Sequence, residues 1–329
     1  MILITGATGY IGSNLWIELL KGPLPVLGLD NFSNSDPRTL EIIQKISGSP
    51  VTFIEGDIRD SNLLEELFLN NPITHIIHLA ALKDVQESIS KKEEYFDVNI
   101  RGFHNLLTVM RSHGCLKIIF SSSAAVYGDS AISPIAETAI TSPSNYYGWT
   151  KLRGEQLLVD EFNKLPSISS ISLRYFNVAG QNESGLLYEC APRNSRSLFS
   201  KIEEVLRGNA NKLPIFGDDW NTPDGTCIRD YLHVTDLANG HIAALNLLGG
   251  EQKCLVLNLG LGAGQSVYDV ISTYERSSGK AIPRYLDKRR LGDVGTSFAD
   301  THLASRLMGW SPAKTLSDIC RDSYKSFSK

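Results

Sequence analysis

Short apolar runs recur through the first half of the chain, at residues 2–4, 26–29, 51–54, 75–79, 115–120 and 171–173. Longer segments with apolar positions at helical spacing lie between most of them, among them 11–20, 63–69 and 96–110. Strands of this kind alternating with helices predict a parallel sheet covered on both faces, because each parallel crossover needs a long return. The right-handed crossover rule then favours a doubly wound α/β order. Residues 147–162 read as one more helix, with Pro143 and Ser144 ahead of it and Pro166 behind.

The pattern changes after residue 173. Residues 181–197 are polar and irregular, and 218–226 are rich in turn formers. Between and beyond them, helices are predicted at 198–206, 266–277 and 316–327, and short strands at 213–217, 255–259 and 282–285. The division expected is a first lobe over 1–175 and a smaller mixed α/β lobe over 176–329, with segments of the second returning to the first.

Where the first strand ends, the sequence reads ITGATGYIG, with Gly6, Gly9 and Gly12 at a G-x-x-G-x-x-G spacing. One glycine allows a tight turn, one lets a pyrophosphate approach the backbone, and one lets helix and strand pack closely. The helix that follows offers its first N–H groups to phosphate. A glycine triplet alone is weak, but its place after an N-terminal strand makes dinucleotide binding the expectation. Asp30 closes the second apolar run and is suited to accept bonds from an adenosine ribose. It would repel a 2′-phosphate, and no arginine follows it, so NAD is expected over NADP. Asp57 follows the third run, where it is suited to bond the adenine amine.

The stretch NYYGWTK at 145–151 contains a second chemical element. Tyr147 and Lys151 are four residues apart and share one helical face, whereas Tyr146 turns away. A phenol is a poor base near neutrality until a nearby positive charge favours its anion. Ser121, Ser122 and Ser123 end the 115–120 run, at the edge where such sheets hold ligands. Ser123 is suited to hydrogen-bond both a substrate oxygen and Tyr147, while helix or loop capping accounts for at least one of the three hydroxyls. Such a group fits proton transfer coupled to hydride transfer.

Composition narrows the classes. The chain has 329 residues, 42% of them hydrophobic and 21% charged, a globular balance with room for two lobes. A net charge of -4 provides no basic field for nucleic acid. The five cysteines are scattered without C-x-x-C spacing, so neither a metal site nor a disulfide framework is expected. With no charged leader and no apolar run long enough to span a bilayer, a cytoplasmic protein without membrane contact is the expectation.

Taken together, the motifs resemble the extended short-chain dehydrogenase/reductase family over almost the whole chain, and most closely its UDP-hexose 4-epimerase branch. The pieces are TGATGYIG at 5–12, LDN at 29–31, EGDIR at 55–59, HLAALK at 78–83, FSSSAAVYG at 120–128, YGWTK at 147–151, LRYFN at 173–177, LPIFG at 213–217, DGTCIRDYLHV at 224–234 and DKRRLGD at 287–293. The resemblance implies a Rossmann domain for the first lobe and a nucleotide-sugar lobe after it. It implies inversion of C4 of UDP-glucose and UDP-galactose by NAD, through a transient 4-keto sugar, within galactose metabolism.

The same resemblance assigns residues. Tyr147 is implied as base and acid, Lys151 as its electrostatic partner and nicotinamide-ribose anchor, and Ser123 as the substrate-side hydrogen-bond group. The cofactor set it implies adds Tyr10, Ile11, Asn31, Asn34, Ser35, Ile58, Leu79, Ala80, Ala81, Lys83, Asn99, Ser121 and Tyr175 to the glycines, Asp30 and Asp57. Substrate contacts are implied for Lys83, Asn177, Ser197, Leu198, Phe216, Arg229, Tyr231, Arg290 and Asp293. Ser297 stands where some members carry a large tyrosine, which leaves room for an N-acetyl group and extends the expectation to UDP-GlcNAc and UDP-GalNAc. Members are commonly homodimers, and that too is implied.

Some positions depart from the family pattern. Trp149 replaces a small or basic residue, and Asn145–Tyr146 replaces a serine–proline lead-in. The segment 191–198, with Arg193, Asn194, Arg196 and Ser197, lacks the usual pair of asparagines that hold the nucleotide. A 4,6-dehydratase is opposed by Ala124 and Ala125, which stand where that chemistry needs an aspartate and a glutamate. A plain nucleotide-sugar oxidoreductase would share the glycine turn and the tyrosine–lysine pair. A non-catalytic protein binding NAD or a nucleotide sugar would keep the turn, but the intact Ser123, Tyr147 and Lys151 oppose it.

Overall fold

The computed structural model describes residues 1–129, 132–187, 197–250, 252–290 and 293–325. Six parallel strands arise in the first half: β1 (Ile2–Thr5), β2 (Val26–Asp30), β3 (Thr52–Glu55), β4 (His75–His78), β5 (Lys117–Ser123) and β6 (Ser169–Tyr175). Every residue of β1 and β6 is buried; β1 reads as an apolar run, whereas β6 alternates and buries Ser170, Ser172 and Arg174 between Ile171, Leu173 and Tyr175. The chain then forms β7 (Asn177–Ala179), β8 (Leu213–Phe216), β9 (Ile228–Arg229) and β10 (Tyr231–His233), and returns as β11 (Cys254–Leu259). β11 pairs in parallel with β6 and completes a seven-stranded sheet, ordered β11-β6-β5-β4-β1-β2-β3. The order reverses between β1 and β4, so their carboxyl ends open the crevice where doubly wound sheets take ligands.

The smaller sheets assemble from the second half, with β12 (Gln265–Ser266), β13 (Arg284–Asp287) and β14 (Thr296–Ser297). β7 pairs with β10, β8 with β13, and β9 lies between β12 and β14. Phe199, Ile202, Ile215, Tyr274 and Ile319 fill the core beneath them.

Three differences from the expected elements have physical causes. The helix expected over 96–110 is divided, because a π-helical stretch, Asp97–Gly102, separates Lys92–Phe96 from Phe103–Ser112. The strand expected at 282–285 starts later: Ile282 is core, and its N–H goes to the Glu275 carboxylate at 2.8 Å. Helices Thr39–Ser47, Val234–Leu247 and His302–Met308 add to the expected set. The second holds Asn239 and Gly240, poor helix formers, and its N-cap is His233, whose Nδ1 accepts from Thr235 N at 3.0 Å. The last helix is described through Lys325. Among the described residues, no helix is long and apolar enough to cross a membrane.

Candidate active site

The glycine turn is built by close packing. Gly6 has φ +71°, and a Cβ on it would lie 2.7 Å from Ala80 N. A Cβ on Gly12 would lie 2.2 Å from Gly6 O, so helix Tyr10–Leu19 can sit on the turn only with glycine there. On Gly9 a Cβ would meet nothing nearer than Gly6 O at 3.4 Å, so that approach is open. No side chain caps this helix, and its first turn carries no acid, leaving the backbone at Tyr10 and Ile11 suited to an anion.

Asp30 is fixed beside the turn. It accepts from Thr8 N at 3.0 Å, Phe32 N at 2.9 Å and Ser35 Oγ at 3.3 Å. Asn31 donates to Asp57 at 2.7 Å. Arg59 also grips Asp57 and holds its carboxyl down at about 2. Asn34 is exposed, whereas Ile58 is buried at 5% exposure against Gly102. Ile58 can therefore face a ligand with its backbone only. Backbone amides for a pyrophosphate, a held carboxylate for a ribose and no basic residue over 31–35 fit NAD better than NADP.

The three serines at the end of β5 separate by strand alternation. Ser122 points to the opposite side and donates to Glu155, which pairs with Arg174 at 2.6 Å in a buried network. Ser121 lies on the side of Tyr175, whose hydroxyl oxygen lies 2.5 Å from His241 Nε2. Ser123 faces Tyr147, and its Oγ also accepts from Ala125 N at 3.2 Å, the capping role expected of one of the three. Helix Tyr146–Lys164 begins with Asn145 as N-cap, whose side chain accepts from Gly148 N at 2.8 Å. Lys151 is buried, donates to Ser121 O at 2.8 Å, and lies 5.8 Å from the centre of the Tyr147 ring.

Burial pushes the Tyr147 phenol up to about 12, against the hydrogen bond from Ser123. Burial also pushes the Lys151 ammonium down to about 7. The pair is thus held in a poorly hydrated place where a charge on either group is costly. Any added positive charge nearby favours the phenolate.

Residues with no motif to announce them hold this group. Ser88 is fully buried; its Oγ accepts from Tyr147 N at 3.1 Å and donates to Val85 O at 2.6 Å. Asn99, on the π-helical stretch, accepts from Leu82 N at 2.8 Å and donates to Leu82 O and Thr150 Oγ1. Its amide is fully engaged and buried, so its place is to join the loop after β4 to the catalytic helix. Tyr95 donates to Asp84 O at 2.7 Å in the same loop. Leu79 to Ala81 form the start of that loop and stay partly accessible, and Lys83 is exposed with its ammonium 5.9 Å from the Tyr10 ring centre. Trp149 stacks on Tyr146 at 5.0 Å and on Phe96 at 6.4 Å, on a face away from Tyr147.

A cleft of about 720 Å³ opens between Tyr10 and the second lobe, and Ser123, Tyr147 and Lys151 are not on its lining. Ser123 is in register with Tyr175, two residues before Asn177, which borders the cleft. Tyr10, Ser197, Leu198, Phe216, Arg229, Tyr231, Arg290 and Asp293 also line it. The Arg290 guanidinium lies 4.7 Å from the Phe216 ring centre and bonds Asp293 at 2.8 Å. Ser197 caps helix Leu198–Leu206. Ser297 lies in register with Arg229 on β14, not on the lining of this cleft. Arg193, Asn194 and Arg196 lie outside the described residues. Among the described residues, no group of His, Cys, Asp and Glu is arranged for a metal.

This combination defines a nucleotide-dependent α/β enzyme with a tyrosine–lysine pair on the helix that packs against the end of β5. The profile of the NAD dependent epimerase/dehydratase family matches residues 2–260, and the chain belongs to that family. The UDP-glucose 4-epimerase of Pasteurella multocida is 41% identical over 324 residues, covering 98% of this chain and 96% of the relative. A solved UDP-glucose 4-epimerase of Stenotrophomonas maltophila, with bound NAD and formylated UDP-arabinopyranose, has a TM-score of 0.97 at 40% identity, covering 99% and 97% of the two chains. That of Bifidobacterium longum, in complex with NAD+ and UDP, has a TM-score of 0.95 at 41% identity, covering 99% and 98%.

Proposed function

We propose that the protein inverts C4 of a UDP-hexose, interconverting UDP-glucose and UDP-galactose through a transient 4-keto sugar with NAD retained throughout. The observation that carries this reading is the Ser123–Tyr147–Lys151 group, where β5 ends against helix Tyr146–Lys164, linked through β6 and Asn177 to a cleft lined by Arg229 and Arg290. The glycine turn, the Asp30 carboxylate and the loop from Leu79 to Lys83 would hold the cofactor. Bound NAD supplies the acceptor for the C4 hydrogen with its electron pair, and afterwards the donor.

Tyr147 takes the proton of the 4-hydroxyl and later returns it. The Ser123 hydroxyl orients that oxygen, and the Lys151 ammonium stabilises the phenolate and bonds the nicotinamide ribose. Arg229 and Arg290 grip the diphosphate, because a guanidinium fork can bind two oxygens at once. Phe216 offers a face to the uracil, and Asn177, Tyr231 and Asp293 line the nucleotide. The sugar then turns about its link to the held diphosphate and presents its other face. Because Tyr147 returns the proton it took and ends each cycle as the phenolate it began as, no solvent proton is consumed.

Residues 1–175 act mainly as the cofactor lobe and 176–329 mainly as the nucleotide-sugar lobe. A homodimer through the helices around Trp149, in the cytoplasm, completes the proposal. The partly exposed stack of Phe96, Tyr146 and Trp149 supports the dimer. The small side chain of Ser297 favours N-acetylated sugars as additional substrates. A solved Campylobacter jejuni UDP-Glc/GlcNAc 4-epimerase, at 35% identity and a TM-score of 0.86, makes that extension reasonable.

The decisive experiment is a product assay with UDP-glucose, UDP-galactose and their N-acetyl counterparts. A 4-inverted product with no net reduced cofactor supports epimerisation. Stoichiometric reduced cofactor with oxidised sugar would replace it with a dehydrogenase.

A further inference from the structure

Outside the proton-transfer group, one contact ties the cofactor turn to the wall of the sugar-nucleotide cleft. Tyr10 is the first residue of its helix, directly after Gly9. Its hydroxyl donates to Gly180 O at 2.5 Å, across 170 positions of sequence. Both residues border the cleft. The joint is held from the cleft side as well. Gly180 has φ +86°, and a Cβ there would lie 2.6 Å from the His233 ring. That ring caps helix Val234–Leu247 and, at its other edge, faces the Asp322 carboxylate at 3.5 Å. A second stitch runs parallel: Asn182 Nδ2 reaches Asn14 Oδ1 at 3.4 Å, and Asn14 Nδ2 donates to Tyr10 O at 2.8 Å.

We propose that Tyr10 is a positioning residue whose hydroxyl is a strut, fixing the segment 180–182 to the cofactor-side helix so that the cleft stays shut while the oxidised sugar turns. The inference rests on the epimerase reading. The oxidised sugar has given its C4 hydrogen and an electron pair to the cofactor and its hydroxyl proton to Tyr147. If it leaves at that point, it departs as a ketone, and the electrons remain behind as reduced cofactor. Epimerisation therefore requires the walls to hold longer than a rotation takes. A hydroxyl bonded to backbone of the facing wall serves that need without gripping the sugar.

The test is Tyr10→Phe in the full chain, purified with its cofactor. This variant keeps the ring, and with it the Lys83 contact. Three quantities are read: UDP affinity by calorimetry, amide hydrogen exchange over 177–187, and reduced-nicotinamide absorbance during turnover of UDP-glucose. One neutral hydrogen bond corresponds to about a threefold to tenfold change in an equilibrium. UDP binding is expected to weaken by that factor, exchange over 177–187 to quicken, and reduced cofactor to accumulate, with cofactor content per chain unchanged. Asn182→Ala should change exchange in the same direction. Wild-type affinity and exchange in Tyr10→Phe would overturn the strut. Should the wild-type enzyme form no 4-inverted product, the epimerase reading fails, and the strut is still judged by affinity and exchange.

Discussion

The Lys151 ammonium lies 5.8 Å from the centre of the Tyr147 ring and is tied to Ser121 O at 2.8 Å. It is buried within the fold, so its charge acts on the phenol through little water. Removing that charge in Lys151→Met takes away the group that opposes the burial of a phenolate. The limb of the pH–rate profile that reports Tyr147 ionisation should move to higher pH, and kcat should fall about 10²-fold or more. Lys151→Arg keeps the charge and should leave the limb nearer its original position. An unshifted limb in Lys151→Met, measured over the full pH range, would separate the two residues.

Tyr147→Phe removes the proton acceptor and keeps the ring. Cofactor content should be unchanged, while turnover falls by about 10² to 10⁴. Steady-state rates with cofactor content measured on the same preparation check this. Turnover near that of the parent would remove Tyr147 from the mechanism.

Ser88 connects that tyrosine to the loop carrying Lys83, through Tyr147 N and Val85 O. Ser88→Ala leaves a helix-terminal N–H without its acceptor and frees the loop. An unsatisfied buried donor costs about 1–3 kcal/mol. Stability by urea unfolding should fall by an amount in that range, and kcat should drop more than KM rises. A change in stability alone, with both kinetic constants intact, would make Ser88 structural only.

What the sequence made legible follows from which signals are local. β1 was readable because both its faces are buried and its residues run apolar, whereas β6 showed only Ile171 and Leu173 between the serines and the arginine that it also buries. Tyr147 and Lys151 were readable because a helix converts a spacing of four into one face. Ser88 was not, nor was the bracing role of Asn99, because their partners lie 59 and 17 or 51 positions away and Asn99 sits on a π-helical stretch that no periodicity signals. Nor was the division of labour among Ser121, Ser122 and Ser123, which needed Glu155 and Lys151 from another element to meet the Ser122 hydroxyl and the Ser121 carbonyl. Ile58 and Asn99 illustrate the converse: the resemblance names each as a cofactor contact, yet burial leaves Ile58 its backbone and Asn99 a saturated amide.

Ser297 lies opposite Arg229 across the β9–β14 pairing, so its side chain is close to a residue of the cleft without lining it. The resemblance to members that carry a tyrosine at this position implies a limit on the size of the sugar. Ser297→Tyr should lower kcat/KM for N-acetylated UDP-sugars by about tenfold or more relative to UDP-glucose, a discrimination set by volume. The ratio of kcat/KM values is the measurement. Equal losses on both sugar types would place the size limit elsewhere.

Two buried histidines contribute to the acid side of stability. His78 is buried, its Nδ1 2.7 Å from Thr5 Oγ1 and its ring stacked 4.5 Å from that of Phe103. Burial, helped by Lys151, holds its pKa down at about 3, and burial holds that of His241 down at about 4. Unfolding returns both to about 6.5. Between the folded and unfolded values the unfolded chain binds more protons, so stability is fully present above about 6.5 and is lost as pH falls toward the folded values. The slope is roughly 1.4 kcal/mol per pH unit for each histidine within its window. Urea unfolding from pH 7 to pH 4.5 should therefore show a falling free energy. His78→Gln, with an amide that can still meet Thr5, should flatten the curve by the share of one histidine. A parent curve that is level between pH 6.5 and 5 would mean that these rings take up protons without unfolding.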